Sequence, residues 1–480
     1  MYPQSKREVR NCKIIKTVFA CCKEFFMQTS IHGLNHIAAP RRHWAERIVW
    51  VFITAMAVWG VVDISLGQWQ RYNDNPTVVT LEKDFRTWRF NIPALTACEQ
   101  DRVSMEKVPN AIKSRWNIGE EDQKYEYYHR FIKTVANSDL FHLNGYAEFK
   151  DDATLNVNLY ELAVEVLPEH RIKMGSSETL LQKWIPIMTE AGACYTINSI
   201  AVADVALVKP DKNNTLQAPT TCKYSSQSCY IMVESAAKID YYIHSPYDVA
   251  NVMVTPSTVY PSLNRYTELS SMETRTGLGV RELPPKTRHC LYTDEPVKPS
   301  RKVYSTHTCR QDCRSRLAQK LCGCKPFYYF YDDGPSCTPS GMWCLAAYSQ
   351  TLANFGGIKC ACSQQCLGSV FREISKEDQI WDRGPFQARG AVRFTVQAPR
   401  TRYTRHIVFH LQDLVVSFGG AAGLFLGASF ISFVEIGYFL LEKLFRGPPT
   451  NTKMVQKPTI PYDETVKEIT CILEENFNKR

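Results

Sequence analysis

The sequence predicts an α+β protein in which two transmembrane helices flank a large, disulfide-rich extracellular domain. Two long apolar segments predict the helices: residues 48–67 contain one charge, Asp63, and residues 414–441 contain one charge, Glu435. A helix needs about 20 predominantly apolar residues to cross a bilayer, and no other segment of the sequence qualifies. Fourteen of the 18 cysteines lie between the two segments, where an oxidising compartment would allow disulfides.

The distribution of the net charge of +9 indicates on which side of the membrane the N-terminus lies; it does not indicate a polyanionic partner. Residues 1–47 carry 9 basic and 3 acidic side chains, whereas residues 48–441 carry 41 basic and 39 acidic ones. Because positive residues favour the cytoplasmic side, the N-terminus is predicted to be cytosolic, and no nucleic-acid partner is expected. The mean hydropathy of −0.27 excludes a bundle of many spans, and the mixed composition argues against a disordered chain.

Two spans place both termini in the cytosol and predict a multi-pass protein of the plasma membrane. The predicted domains are a cytosolic N-terminus (1–47), a first transmembrane helix (48–67), an extracellular cysteine-rich domain (68–413), a second transmembrane segment (414–441) and a cytosolic tail (442–480). Asn213 begins the single Asn-x-Ser/Thr sequon and is a predicted glycosylation site in the extracellular domain. The alternative for either span is a buried core helix.

The extracellular domain is predicted to combine a β core with peripheral helices. Alternating or β-branched runs predict strands at Ala193–Ile200, Ser228–Glu234, Asp240–His244, Val249–Thr255 and Ala391–Val396. Helical periodicity appears in Asp122–Val135 and in Thr306–Leu321.

Ten of the fourteen extracellular cysteines lie within residues 290–366, so this region should be densely cross-linked. A zinc site is the alternative interpretation of the Cys309/Cys313, Cys322/Cys324 and Cys360/Cys362 pairs. Zinc sites usually contain Cys-x2-Cys units, however, and extracellular thiols oxidise. No metal and no cofactor are therefore expected.

The second apolar segment has features that a plain membrane anchor does not need. Gly419, Gly423 and Gly427 recur every four residues on one helical face, and Glu435 is a costly intramembrane charge. As a helix, the 28 residues would span about 42 Å against about 30 Å of hydrocarbon, so the segment must tilt or break. A break at Gly427–Ser429 would free backbone carbonyls and a hydroxyl to face a pore.

Motifs along the chain resemble those of the degenerin/epithelial sodium channel family, most of all its insect pickpocket branch. The motifs are Ile31-His32-Gly33-Leu34, Ile92-Pro93-Ala94-Leu95-Thr96-Ala97-Cys98, Gly192-Ala193-Cys194-Tyr195-Thr196-Ile197-Asn198, Ile243-His244-Ser245, the cysteines from 309 to 366 and Gly427-Ala428-Ser429. Each motif is weak alone, but all of them in this order are specific.

The resemblance implies a subunit of a trimeric, amiloride-sensitive, sodium-selective channel. Gly427, Ala428 and Ser429 would form the selectivity filter, and His32-Gly33 a cytosolic re-entrant motif that controls gating. The other implied pore and gate residues are Val416, Ser417, Gly419, Gly420, Gly423 and Glu435. The implied partners are sodium ions, membrane lipid, amiloride-like blockers and related subunits in a homo- or heterotrimer.

The resemblance also implies which cysteines pair. By motif matching the disulfides are Cys98–Cys194, Cys290–Cys366, Cys309–Cys362, Cys313–Cys360, Cys322–Cys344 and Cys324–Cys337, which leaves Cys222 and Cys229 to pair locally. One position departs from the acid-gated relatives, which have a tryptophan three residues before the cysteine matched by Cys290. This chain has Thr287 there, so other contacts must couple the extracellular domain to the first span.

Several alternatives stand beside a conducting sodium channel subunit. A non-conducting auxiliary subunit or an anchored receptor would have the same sequence features. An ATP-gated channel would share the two spans but would need paired lysines and would lack the Gly-Ala-Ser motif. An enzyme is not expected, because the common hydrolase and nucleotide-binding motifs are missing, and His406 and His410 suggest at most a modulatory metal site. The sequence leaves the extracellular stimulus open between a chemical and a mechanical one.

Overall fold

The structure, a computed structural model, divides the chain into two compact units. The cysteine-rich unit comprises Arg71–His410, and the helical unit comprises Met1–Gln70 together with Leu411–Arg480. The residues that the structure describes are 22–40, 42–169, 172–176, 183–208, 218–224, 229–381, 383–384 and 387–446. The predicted glycosylation site Asn213 and most of the predicted cytosolic tail lie outside the described residues.

The helices and strands are numbered in chain order. The helices are α1 (Leu34–Ala38), α2 (Trp44–Asp74), α3 (Val108–Trp116), α4 (Tyr125–Ala136), α5 (Leu159–Glu165), α6 (Pro285–Arg288), α7 (Thr306–Cys322), α8 (Pro339–Ala346), α9 (Ser349–Ala353), α10 (Leu411–Leu426) and α11 (Phe430–Arg446), and residues 22–28 are also helical. The strands are β1 (Thr77–Glu82), β2 (Arg89–Asn91), β3 (Ala94–Glu99), β4 (Ile172–Ser176), β5 (Ile185–Thr189), β6 (Gly192–Ile197), β7 (Thr221–Lys223), β8 (Tyr230–Ser235), β9 (Ile239–His244), β10 (Ser257–Val259), β11 (Leu263–Thr276), β12 (Cys290–Leu291), β13 (Gln364–Gln365), β14 (Gly368–Ile380), β15 (Gly390–Gln397) and β16 (Arg402–Ile407).

Two sheets organise the cysteine-rich unit and confirm its mixed α+β character. The larger sheet has the order β1-β16-β11-β15-β8-β4, with β14 also paired to β11, and the smaller has the order β10-β9-β3-β6-β5. Strands from both sheets contribute inward-facing side chains to one apolar cluster, including Leu95, Ile231, Val233, Tyr241 and Phe394. This cluster joins the two sheets, because alternate residues of a strand point to the same face.

A second apolar core surrounds α4. The helix buries side chains at the spacing of one helical face, namely Tyr128, Phe131, Ile132 and Val135. The predicted helix is confirmed, but it begins at Tyr125 rather than at Asp122. The Asp122 carboxylate accepts a hydrogen bond from the Lys124 N–H (2.8 Å), a local contact that favours a turn before the helix.

Four predicted strands are present as β6, β8, β9 and β15, and the prediction of a strand at Val249–Thr255 is wrong. This segment is a turn, in which Asn251 Oδ1 accepts a hydrogen bond from the Met253 N–H (3.1 Å). The valines that suggested a strand are nonetheless buried, because Val249 and Val252 belong to the core around α4.

Seven disulfides cross-link the cysteine-rich unit. They join Cys98–Cys194, Cys222–Cys229, Cys290–Cys366, Cys309–Cys362, Cys313–Cys360, Cys322–Cys344 and Cys324–Cys337. Six of these are the pairs that the resemblance implies, and Cys222–Cys229 joins the two cysteines that those six leave over. The sulfur atoms of Cys309, Cys360 and Cys362 lie within 4.8 Å of one another. Each belongs to a disulfide, however, and therefore offers no thiolate to a metal.

Among the described residues of the helical unit, α2 alone is long and apolar enough to cross a membrane by itself. Its 31 residues correspond to a length of about 46 Å, and the predicted span 48–67 lies within it.

The second predicted span is two helices rather than one. α10 and α11 meet at a bend of 79° across Gly427–Ser429, and they have the length and hydropathy of a span only as a pair. A helix too long for the bilayer must tilt or break. Here the backbone breaks, and the break lies at Gly427, where it was expected.

Candidate functional site

Gly427 makes the bend between α10 and α11 possible. Its φ of 58° lies in the left-handed region, which glycine adopts without steric cost. Its N–H still bonds to the Gly423 carbonyl (3.0 Å), so α10 closes normally before the chain turns. Beyond the bend, the Ser429 N–H donates to the Ser432 hydroxyl (3.1 Å) at the start of α11. The three residues predicted to form the filter are therefore a short non-helical segment between two helices.

The His32-Gly33 motif lies against this bend. The His32 N–H donates to the carbonyl of Leu426, the last residue of α10 (2.9 Å). A Cβ added to Gly427 would lie 2.7 Å from Cγ of the His32 ring, so a larger residue at position 427 would overlap the imidazole. The two motifs that the sequence analysis singled out, 395 residues apart, are in direct contact.

Gly33 allows the same segment to approach α2. Its φ is 90°, and a Cβ at this position would lie 2.6 Å from the hydroxyl oxygen of Thr54. Thr54 is the one buried residue of α2, and its hydroxyl has no hydrogen-bond partner in the part of the chain that the structure describes. The sequence analysis missed Thr54, although a small polar residue within an apolar span was an available signal.

Ser30 connects the N-terminal segment to the charged residue of the second span. Its hydroxyl donates to Glu435 Oε2 (2.8 Å), and its backbone N–H lies 3.2 Å from the same oxygen. The Ser30 hydroxyl also lies 2.8 Å from the Ser432 hydroxyl. Ser429, just before α11, and Ser432 and Glu435 within it recur every three residues, and this spacing was the available signal for the cluster.

The other predicted pore residues lie on α10 and do not join this cluster. They are Val416, Ser417, Gly419, Gly420 and Gly423. Val416 is 72% exposed, and a Cβ added to Gly419 or Gly420 would meet no described residue within 4 Å. The buried face of α10 is the opposite one, with Leu414 and Ala421. Among the residues that the structure describes, therefore, none covers the face of α10 at Gly419 and Gly420.

The histidines considered as a metal site have different surroundings. His406 Nε2 lies 3.2 Å from Glu82 Oε1, across the antiparallel pair of β16 and β1. In the described part of the chain, the cluster of side chains that could hold a metal includes neither His406 nor His410. His406 therefore contacts the Glu82 side chain on the neighbouring strand.

A sequence model described as "Amiloride-sensitive sodium channel" matches residues 25–439. The chain belongs to the amiloride-sensitive sodium channel family. This family consists of membrane proteins that are ion channels rather than enzymes. The match begins shortly before Ser30 and ends shortly after Glu435, so the cluster described above joins the two ends of the family domain.

Several relatives cover almost the whole chain at low identity. Pickpocket protein 19 of Drosophila melanogaster is 20% identical over 88% of this chain and 90% of its own length. Acid-sensing ion channel 1A of Danio rerio is 22% identical over 87% of both chains, and the bile acid-sensitive ion channel of Homo sapiens is 22% identical over 88% of this chain and 86% of its own. A solved proton-activated chloride channel aligns with a TM-score of only 0.24 at 7% identity over 82% of this chain and 96% of its own, too distant to bear on the fold.

The names of the acid-sensing and bile acid-sensitive relatives give different stimuli. Membership in the amiloride-sensitive sodium channel family therefore establishes an ion channel ancestry for this chain and leaves the stimulus to experiment.

Proposed function

We propose that the chain is a subunit of a trimeric, amiloride-sensitive, sodium-selective channel of the plasma membrane, with both termini in the cytosol. The cysteine-rich unit would be extracellular and would receive a chemical or mechanical stimulus. The observation that carries the proposal is the non-helical segment Gly427–Ser429, which interrupts an apolar span in a chain of this family.

Each part of the cluster has a role in this proposal. Three copies of Gly427–Ser429 around an axis would offer carbonyls and hydroxyls in place of part of the hydration shell of a sodium ion. The Glu435 carboxylates would raise the local concentration of cations, since a ring of one charge sign attracts the opposite ion. His32 and Gly33, seated on Gly427 and Thr54, would set the position of the filter and thereby the open probability.

Val416 would contribute to the gate. Its exposed side chain lies on the uncovered face of α10, where another subunit would approach it. A Val416→Cys variant modified by a bulky thiol reagent is expected to have a changed open probability. An unchanged open probability in a channel shown to be modified would contradict the assignment.

The filter assignment is tested by ion selectivity. Ser429→Asn enlarges one side chain of the filter segment and is expected to shift the reversal potential between sodium and potassium solutions. Ser65→Asn, the same change within α2, is the matched control and is expected to leave the reversal potential unchanged. Surface biotinylation shows that each variant reaches the membrane. An unchanged sodium preference in a conducting Ser429→Asn channel would refute the filter.

Expression alone and with related subunits separates a conducting subunit from a non-conducting one. An amiloride-blockable sodium current from the chain alone supports the proposal directly. A current that requires a second subunit and keeps the selectivity of that subunit after Ser429→Asn would instead assign this chain an auxiliary role.

A further inference from the structure

The cysteine-rich unit contains a cavity of about 570 Å³ that none of the predicted site residues line. Its walls are β9 and the loop that follows it, the beginning of α7, and the first residues of β14, with part of β11. The volume falls in the range of small-molecule sites, about 300–1,000 Å³.

The charged groups of this cavity are acidic. Asp248 and Glu373 contribute carboxylates to the lining, and none of the described lining residues is a lysine or an arginine. Two histidines are present, of which His244 is neutral because burial lowers its pKa to about 4. The cavity therefore favours a cation over an anion.

The Asp248 carboxylate already has hydrogen-bond partners within the protein. Its Oδ2 lies 2.6 Å from His307 Nδ1, and its Oδ1 accepts hydrogen bonds from the N–H groups of Val249 (2.9 Å) and His307 (3.2 Å). Since a carboxylate only accepts, His307 Nδ1 carries the proton of this contact.

The Glu373 side chain, by contrast, is exposed at the cavity and has no hydrogen bond or ion pair with a side chain that the structure describes. Tyr241 also lines the cavity; burial is the main cause of its raised pKa, and the Glu373 charge raises it further. Leu269, on the strand paired with Glu373, and Phe371 supply apolar surface beside the carboxylate. An unpaired carboxylate next to an aromatic ring and an aliphatic side chain fits an organic ammonium ion.

We propose that this cavity binds a small organic ammonium ion, with the cationic nitrogen at Glu373 and the hydrocarbon body against Phe371 and Leu269. The site is separate from the candidate filter and does not depend on the proposed conduction.

Direct binding to the full-length, detergent-solubilised protein tests the site. The probe is 2-phenylethylamine, a primary ammonium on an aromatic ring, and the matched probe without charge is 2-phenylethanol. Isothermal titration calorimetry is expected to detect the amine and to show binding of the alcohol that is at least about tenfold weaker, the factor for one hydrogen bond to a charged group. Equal affinities, or no binding of the amine at millimolar concentration, would overturn the proposal.

Two substitutions on β14 then locate the binding site. Glu373→Gln keeps the shape of the side chain and removes its charge. This variant is expected to bind 2-phenylethylamine about tenfold more weakly, or weaker still. Glu377→Gln, on the same strand but outside the cavity lining, removes an equal charge and is expected to leave the affinity within about twofold. An unchanged affinity in Glu373→Gln, or an equal loss in both variants, would show that the amine does not bind at this carboxylate.

Discussion

Gly427→Ala should displace the N-terminal segment around His32 from the bend between α10 and α11. Placing a residue with a Cβ at a φ of 58° costs about 1–2 kcal/mol. The new Cβ would also lie 2.7 Å from Cγ of His32, so the ring must move and the 2.9 Å hydrogen bond from His32 to Leu426 is lost, at about 0.5–1.5 kcal/mol. The lost hydrogen bond shifts the equilibrium between the bound and displaced segment by roughly 2- to 13-fold, whereas the positive φ destabilises the bend itself.

A double-mutant cycle separates the two terms. His32→Ala removes the ring that the new Cβ would meet, while the positive φ at residue 427 remains. The double variant Gly427→Ala, His32→Ala should therefore be less impaired than the two single effects combined, with a coupling of about 1 kcal/mol.

The assay is the amiloride-blockable sodium current divided by the amount of protein at the cell surface, recorded with related subunits where the chain alone gives no current. Gly437→Ala is the control, because a Cβ added there meets no described residue within 4 Å and alanine suits a helix. Additive effects in the cycle, or a loss of current in Gly437→Ala as large as in Gly427→Ala, would refute the contact between His32 and the bend.

Three further predictions follow from named contacts. Cysteines in place of Ser30 and Ser432, whose hydroxyl oxygens lie 2.8 Å apart, should form a cross-link that mass spectrometry detects after mild oxidation, and its absence would contradict the Ser30 contact. Glu190→Gln leaves the buried Arg314, bonded to it at 2.7 and 2.9 Å, without a counter-charge, and should cost about 3–5 kcal/mol, measured as a lower unfolding midpoint. His244 has a folded pKa of about 4, below the unfolded value of about 6.5, so stability should be full above pH 6.5 and fall by about 2–3 kcal/mol between pH 6.5 and 4. Urea titrations at pH 7.5 and 5 measure the difference in the free energy of unfolding between these two pH values. The His244→Gln variant should lose much of this difference, and a parent protein that shows no difference would contradict the prediction.

The sequence predicted the elements whose pattern is local. The apolar spacing of α4 and the alternation of β9 and β15 follow from the side-chain period of each element, and the break at Gly427 follows from a span too long for the bilayer. The error at Val249–Thr255 has a local cause as well. Hydrophobic alternation predicted a strand, but Asn251 bonds to the backbone two residues on, and the flanking valines are buried in a core that includes helices.

The contacts that build the candidate site were not predictable in the same way. Ser30 and Glu435 are 405 residues apart, and no periodicity in either segment specifies which serine meets the carboxylate. Thr54 is likewise defined by what approaches it, since its neighbour Gly33 comes from another segment. The residue types gave a hint, because polar side chains in apolar spans need a partner, but only the tertiary structure supplies the partner.

The last residues of α2, from Arg71 to Asp74, belong to the cysteine-rich unit and contact two other segments of that unit. His289, two residues after Thr287, places Nε2 2.7 Å from the carbonyl of Asp74, one of the last carbonyls of α2, which lack partners within the helix. The Phe409 ring, close to where α10 begins, packs edge-on against the Tyr72 ring, with 6.4 Å between the ring centroids. The guanidinium carbon of Arg71 lies 5.4 Å from the centroid of the same Phe409 ring. One hydrogen bond and one aromatic contact thus hold the end of α2 from two separate segments.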